Sequence, residues 1–366
     1  MTEVRMKTIS LRDLVIGEVL GQDAYGPQGQ LLLTRGTLLR ASHIQRLRAL
    51  GIEEVAVGLD AAPPGAAASR GALAAQDAKS QAFSRAFDAG QAVVREFMER
   101  VAAGRPVDSA EARESIDLIY PQVVASHNVL RQLGQLRSKD EYTLQHSVAV
   151  SIMGVKIGQL LGLAEPELKE VGLAGLLHDV GKCRIPSAIL NKPGRLTAEE
   201  FAEMKKHAVY GYQAMKAMGL GASAVALAVL QHHEREDGSG YPLKLPSPRL
   251  HLYAKILAVA DCFDAMTSDR VYSPRKPALL AAQEILREVG STLDAAVTRR
   301  FVQYVVDLAV GSQARLSNGE AGTIVLVDPE EPARPLVQVQ RRFIDLRQRR
   351  DLVLEDVRLQ TESRGR

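Results

Sequence analysis

The chain has 366 residues, of which 46% are hydrophobic and 24% charged, with no tryptophan and a formal net charge of +3. That length accommodates two or three domains, and so small a charge gives no argument for binding a nucleic-acid polymer or a membrane surface. The amino terminus lacks the apolar core of a signal peptide, no apolar run approaches the ~20 residues that cross a bilayer, and Cys183 and Cys262 are the only cysteines, so a cytoplasmic protein without disulfides is expected.

Residues 1–58 read as a small α+β module. Apolar segments at Leu14–Val19, Leu31–Leu33 and Val55–Val57 are separated by Gly26-Pro27-Gln28-Gly29 and Arg35-Gly36, which are turn residues. Between them, Ile44, Leu47 and Leu50 fall at helical spacing and the pattern stops at Gly51. The run 59–80 is rich in Ala, Gly and Pro and buries little, which predicts a linker between independently folding parts.

From 81 to 310 the pattern is helical. In Thr143–Leu161 the positions His146, Val150, Met153 and Ile157 share one face, so His146 points where the apolar residues point. Thr197-Ala198-Glu199-Glu200 is a capping box that predicts a helix carrying Phe201, Met204 and His207. Ala222–His233 and Leu250–Met266 predict two more helices, the first with a His pair at its end and the second carrying Asp261. Residues 311–366 turn β-rich, with strands expected at Gly322–Val327, Leu336–Val339 and Asp351–Val357. Arg341, Arg342, Arg347, Arg349 and Arg350 form a basic end read as solvated surface.

Chemistry concentrates in one stretch. His178-Asp179-Val180-Gly181-Lys182 closes an apolar run, and a carboxylate beside an imidazole is costly to bury unless something satisfies both. His146 lies upstream; His207, His232, His233 and Asp261 lie downstream, so five of the eight histidines belong to the set. One histidine on an apolar face is ordinarily a hydrogen-bonded core residue; so many converging ligand types are better explained by divalent metal. Seven ligands exceed what one ion needs, so two ions sharing Asp179 are expected. Paired ions suit phosphodiester hydrolysis through a metal-activated hydroxide. Lys182 is placed to meet a phosphate charge. His232 and His233 are about 100° apart on a helix, so they reach one region only where the helix ends.

At this point the chain, from roughly 135 to 300, resembles the HD-GYP phosphodiesterases, a branch of the HD metal-dependent phosphohydrolase superfamily. The resemblance rests on an ordered series: Tyr142-Thr-Leu-Gln-His146, Leu176-Leu-His-Asp-Val-Gly-Lys182 with Ile185-Pro186, and Ile189-Leu-Asn-Lys-Pro193-Gly194. Met204-Lys-Lys-His207, His232-His233-Glu234 with Gly240-Tyr241-Pro242, and Asp261 with Asp264 and Ser268-Asp269-Arg270 complete it.

The resemblance implies a mainly α protein, a helical HD-type domain at 81–310 flanked by the small N-terminal α+β module and a small β module at 311–366. It implies hydrolysis of cyclic di-GMP to pGpG, GMP or both. His146, His178, Asp179, His207, His232, His233 and Asp261 become the metal ligands, Asp179 and Lys182 the catalytic pair, and Lys182, Arg270 and Tyr241 the substrate contacts. Glu234 and Asp264 become residues that orient ligands. Two divalent ions follow, iron or manganese rather than zinc. The family also associates Gly240-Tyr241-Pro242 with diguanylate cyclase partners, and oligomerisation is left open.

Two positions depart from the family pattern. Tyr142 stands where some members have a Glu that bears on metal number, and Ser273 stands where many have a basic residue. Two other readings are a non-catalytic cyclic-dinucleotide sensor on the same fold and an HD hydrolase with another substrate. The full ligand set with Lys182 argues against the first, and Gly240-Tyr241-Pro242 with Arg270 against the second.

Overall fold

The computed structural model describes residues 6–11, 20–25, 31–33, 37, 39, 43, 47, 52, 54–58, 66–136, 142–269 and 275–359. The chain divides into two compact units, Met1–Ala78 and Lys79–Arg366.

In the first unit β1 (Met6–Ser10) pairs antiparallel with β4 (Glu54–Gly58), and β2 (Ala24–Tyr25) with β3 (Leu31–Leu33). Leu11, Leu20, Leu39, Leu47, Val55 and Val57 form its own small core. The strands expected at Leu31–Leu33 and Val55–Val57 are present. The strand expected at Leu14–Val19 and most of the helix expected at 42–50 lie outside the described residues.

The expected linker is corrected from residue 66 onward. Helix α1 runs Ala66–Ala102, so residues 66–80 of the expected linker are helical. Alanine is the strongest helix former, and the pair Pro63-Pro64 stands before the helix rather than inside it. Composition alone could not separate a helix of small residues from a loop of them.

The second unit is a helical assembly around one buried helix. After α2 (Ser109–Ala125) and α3 (Val129–Leu136), helix α4 (Tyr142–Leu161) is buried at every position from 145 to 158. A helix apolar on all sides belongs at the centre of a bundle, and α5 (Glu165–Leu177), α10 (Leu252–Thr267) and α12 (Ala295–Ala309) surround it. A 3-10 turn at Val180–Arg184, a short α6 (Ser187–Leu190), α7 (Ala198–Met204), α8 (His207–Ala217) and α9 (Ala224–Gln231) close one end, and α11 (Ala278–Arg287) packs on α12. The helix expected to carry Phe201, Met204 and His207 together is two helices. The first is capped at Thr197, which accepts from Glu200 N at 3.2 Å, and ends at Lys205; the second starts at His207.

The tail forms a five-stranded antiparallel sheet in the order β8 (Arg342–Asp345), β7 (Leu336–Val339), β6 (Ala321–Leu326), β5 (Gln313–Leu316), β9 (Leu354–Arg358). Strands β5 and β8 are absent from the sequence expectation: Gln313–Leu316 and Arg342–Asp345 each mix charged or polar residues with few β-branched ones. The sheet is not a separate module. Ala314, Leu316, Ile324, Val337, Ile344 and Leu354 join the same core as Phe263, Phe301 and Val305 of the helices. Its basic end is neutralised at the surface: Arg342 pairs with Glu320, Arg347 with Asp345, Arg349 with Asp351 and Arg350 with Glu331.

Candidate metal centre

The seven histidine and aspartate residues singled out in the sequence converge. His146 comes from the first turns of α4, His178 caps the end of α5, and Asp179 precedes the 3-10 turn. His207 opens α8, His232 caps the end of α9 with His233 just beyond it, and Asp261 lies within α10. The adjacent pair reaches one region because the helix stops at Gln231, as the 100° spacing required.

Two glycines allow the elements to meet. A Cβ on Gly181 would lie 2.1 Å from the His207 carbonyl oxygen and 2.4 Å from the Gly211 nitrogen, so only glycine lets the turn after Asp179 touch the backbone of α8. A Cβ on Gly240 would lie 2.5 Å from the His233 carbonyl oxygen, and the following residue, Tyr241, donates its backbone N–H to that same oxygen at 3.1 Å.

The imidazoles are oriented by a repeated device. Nδ1 of His178, His207 and His232 each donates to the carbonyl three residues earlier, Gly175 at 2.7 Å, Met204 at 2.7 Å and Val229 at 2.8 Å. With the proton fixed on Nδ1, each Nε2 lone pair faces the shared space. His146 is oriented by a carboxylate instead, its Nδ1 lying 2.8 Å from Asp264 Oδ2, which also accepts from Ser268 Oγ at 3.1 Å.

Asp179 stands in the middle. Its Oδ2 lies 3.3 Å from His178 Nε2, 3.7 Å from His146 Nε2 and 2.5 Å from Lys182 Nζ, while its Oδ1 lies 3.5 Å from His207 Nε2. Asp261 Oδ1 is 3.2 Å from His146 Nε2 and its Oδ2 3.8 Å from His233 Nδ1. Both carboxylates therefore span two groups of ligand atoms, His146 with His178 and Asp179, and His207 with His232 and His233. Within each group the atoms lie within 4.8 Å of one another, the scale of ligands around one ion.

The charges fit cations. Burial alone would raise the Asp179 carboxyl, but the fields of His178 and Lys182 outweigh it and hold it well below the usual carboxylate range. Asp261 is held low in the same way, burial being overcome chiefly by its hydrogen bond with His146. Burial keeps the His207 ring neutral, takes His233 down to about 3 and, with the neighbouring His233, takes His232 well below its ordinary value. His146 is the exception. Burial works against its charge, yet hydrogen bonds with Asp261 and Asp264 carry it up to about 9. Neutral imidazoles and ionised carboxylates are the protonation states that bind divalent metal.

The fit to metal has a second support. His178 Nε2 and Asp179 Oδ1 are buried and accept or donate no hydrogen bond among the described residues. Leaving such atoms without partners costs roughly 1–3 kcal/mol each, more for a charge, and a divalent ion satisfies both at once.

One expected role is corrected. Glu234 does not orient a ligand histidine. Its buried carboxylate accepts from the backbone N–H of Leu243 at 2.6 Å and Leu245 at 3.0 Å, so it fastens the segment that follows Gly240-Tyr241-Pro242. The ring of Tyr241 lies over His233, centroids 4.7 Å apart with a 35° tilt, so the segment reaches the ligand set directly. Burial, then the charges of Asp179 and Asp261, push the Tyr241 hydroxyl above its ordinary pKa and keep it a neutral donor. Arg270 lies outside the described residues, as does Ser273.

A model of the HD domain family matches residues 128–297, the span that holds every one of these ligands. That span, just under half of the chain, is an HD domain. The ordered motifs, with the Tyr241 ring over His233, resemble the HD-GYP branch of that family. The chain is 38% identical over 255 residues to the cyclic di-GMP phosphodiesterase PA4108 of Pseudomonas aeruginosa, covering 66% of this chain and 61% of that one. It is 38% identical over 180 residues to a cyclic di-GMP phosphodiesterase of Thermotoga maritima, covering 48% and 47% of the two chains. A 3'3'-cGAMP-specific phosphodiesterase of Vibrio cholerae is 36% identical over 161 residues, 43% of this chain and 31% of that one. The chain thus spans about three fifths of the Pseudomonas relative and about half of the Thermotoga relative. No helix among the described residues is long and apolar enough to cross a membrane.

Proposed function

We propose that this protein is a metal-dependent phosphodiesterase that hydrolyses cyclic di-GMP to pGpG, GMP or both. The observation that carries the reading is Asp179: a buried, ionised carboxylate whose two oxygens face imidazoles from α4, α5 and α8, with Lys182 Nζ 2.5 Å away. In this reading His146, His178, His207, His232, His233, Asp179 and Asp261 hold two divalent ions, iron or manganese in preference to zinc because the ligand set mixes imidazole with carboxylate. Bound ions supply the charge that polarises a phosphodiester and draws a proton from water.

The chain's own residues do the rest. Asp179 spans the two ligand groups and sets their separation. Lys182, partly exposed beside it, presents an ammonium to a phosphate oxygen, and Arg270 serves the same anion. Tyr241 offers an un-ionised hydroxyl next to the ligands. Asp264 fixes the His146 ring, so that its Nε2 stays aimed at Asp179 and Asp261. A docking role of Gly240-Tyr241-Pro242 for diguanylate cyclase domains would fall to its exposed neighbours Leu243 and Lys244, because one face of Tyr241 is occupied by His233.

The test is direct. Protein purified anaerobically and loaded with Mn²⁺ or Fe²⁺ is incubated with cyclic di-GMP, and the nucleotides are separated. Metal-dependent appearance of pGpG or GMP is expected, and 3'3'-cGAMP run in parallel settles which cyclic dinucleotide is preferred. No turnover of either by metal-loaded protein would overturn the reading.

A further inference from the structure

Helix α7 (Ala198–Met204) has no core role. None of its residues is buried, and it is held by its Thr197–Glu200 cap and by Lys192, whose Nζ lies 2.6 and 2.8 Å from the two Glu200 oxygens. Yet it carries a phenylalanine, Phe201, that stays 46% exposed. A single exposed apolar side chain is ordinary; the place of this one is not. The Phe201 ring meets Tyr241 edge to face, centroids 6.2 Å apart at 83°, and Tyr241 in turn lies 4.7 Å from His233. Lys205 Nζ sits 5.1 Å from the Phe201 centroid and 5.9 Å from that of Tyr241. A continuous aromatic path thus runs from a metal-ligand candidate to solvent, with one ammonium at its outer end.

We propose that Phe201, Lys205 and Tyr241 form a platform that holds a purine base of the substrate while its phosphate lies at the Asp179 centre. The inference rests on the phosphodiester reading above and adds what recognises the rest of the nucleotide. A purine presents a flat π-face and ring or exocyclic acceptors. The exposed face of Phe201 matches the first and the Lys205 ammonium the second. Because every purine has that face, the platform distinguishes purine dinucleotides from phosphodiesters without a base, not one purine from another. Among the described residues, no ring contact or ion pair links Phe201 or Lys205 directly to a metal-ligand candidate, so they act on binding and positioning rather than on the chemical step.

The test compares two substrates on metal-loaded full-length protein: cyclic di-GMP, and bis(p-nitrophenyl) phosphate, which carries the phosphodiester but no purine. Phe201→Ala should raise KM for cyclic di-GMP about ten-fold, within the range for removing one base–aromatic stack, with kcat and bound metal unchanged. Turnover of bis(p-nitrophenyl) phosphate should be unaffected, and Phe201→Trp should restore the wild-type KM. Equal losses on both substrates, or no loss on cyclic di-GMP, would overturn the platform. Calorimetric binding of GMP to wild type and Phe201→Ala separates this from the fate of the phosphodiesterase reading. If wild type cleaves only the p-nitrophenyl ester, the cyclic di-GMP assignment falls. Weaker GMP binding in the variant would still support the platform, and unchanged GMP binding would sink it.

Discussion

The Nδ1 of His146 lies 2.8 Å from Oδ2 of Asp264, a carboxylate with no solvent exposure, while the Nε2 of the same ring faces Asp179 and Asp261. An imidazole set among three carboxylates holds a proton until a metal displaces it.

That proton gives the metal-free protein a defined pH response. The folded-state pKa of His146 is raised to about 9 from 6.5, so its stabilisation is fully present below 6.5 and is lost as pH rises through 9. Urea unfolding in a chelator should therefore show stability falling between these values, by about 3 kcal/mol. Asp264→Asn should flatten the slope. Loading metal near pH 7.5 should release about one proton from this ring, measurable by calorimetry in buffers of different ionisation enthalpy. A slope as steep in Asp264→Asn as in wild type would contradict the assignment.

Asp179→Ala removes the carboxylate that both ligand groups face. Metal content should drop below that of wild type, and cyclic di-GMP hydrolysis should fall by at least about 10³-fold, in keeping with loss of a centre that supplies most of the electrostatic stabilisation. A folded variant working at the wild-type rate would place the chemistry elsewhere.

Lys182→Ala removes the ammonium that faces phosphate while leaving every ligand candidate in place, Asp179 losing only its 2.5 Å partner. Activity should fall about 10²-fold with metal retained, as elemental analysis would report. Lys182→Arg should rescue poorly, because a planar guanidinium does not occupy the site of a compact ammonium. Loss of metal from Lys182→Ala would make the residue a support of Asp179 instead.

Glu234→Ala leaves the backbone N–H groups of Leu243 and Leu245 without their acceptor. Thermal unfolding should show a loss of roughly 1–3 kcal/mol, and hydrolysis should weaken because Tyr241 is no longer held over His233. If stability changed without any change in activity, Tyr241 would be placed by other contacts.

Truncation separates the two ends of the chain. A protein of residues 79–366 should keep its metal and its hydrolysis, since that span is one compact unit containing every ligand candidate. Ending the chain at 310 should instead remove the sheet residues of the shared core, among them Leu316, Ile324 and Leu354, and give a protein that aggregates or unfolds at room temperature. Circular dichroism and size-exclusion chromatography distinguish the two outcomes.

What was legible in the sequence was the dense chemistry. Seven histidine and aspartate residues in ordered motifs, and the end of a helix at His232-His233, carry their meaning in residue identity and spacing. The role of Glu234 was not legible, because its partners are backbone amides nine and eleven residues on, which any sequence supplies. The one helix expected to carry Phe201, Met204 and His207 is two, and Phe201 lies half-exposed on the first; a capping box marks where a helix starts, not where it stops or which face is buried. Residues 66–80 failed for a different reason, since alanine serves a helix and a loop of small residues alike. The shared core of the tail sheet was not legible because alternation in a strand such as Gly322–Val327 says that one face is buried, not against what.

The contact at Gly181 has a kinetic consequence. With no room for even a methyl group between the turn after Asp179 and the first turns of α8, the two cannot part by side-chain rotation; they separate only if one backbone lifts off the other. Amide hydrogens at Gly181 and Gly211 should then exchange with a common opening free energy, close to that of the whole bundle. An ion held by Asp179 and His207 together would be released at a rate tied to this opening, which chelator-driven metal loss timed against amide exchange at Gly181 and Gly211 tests.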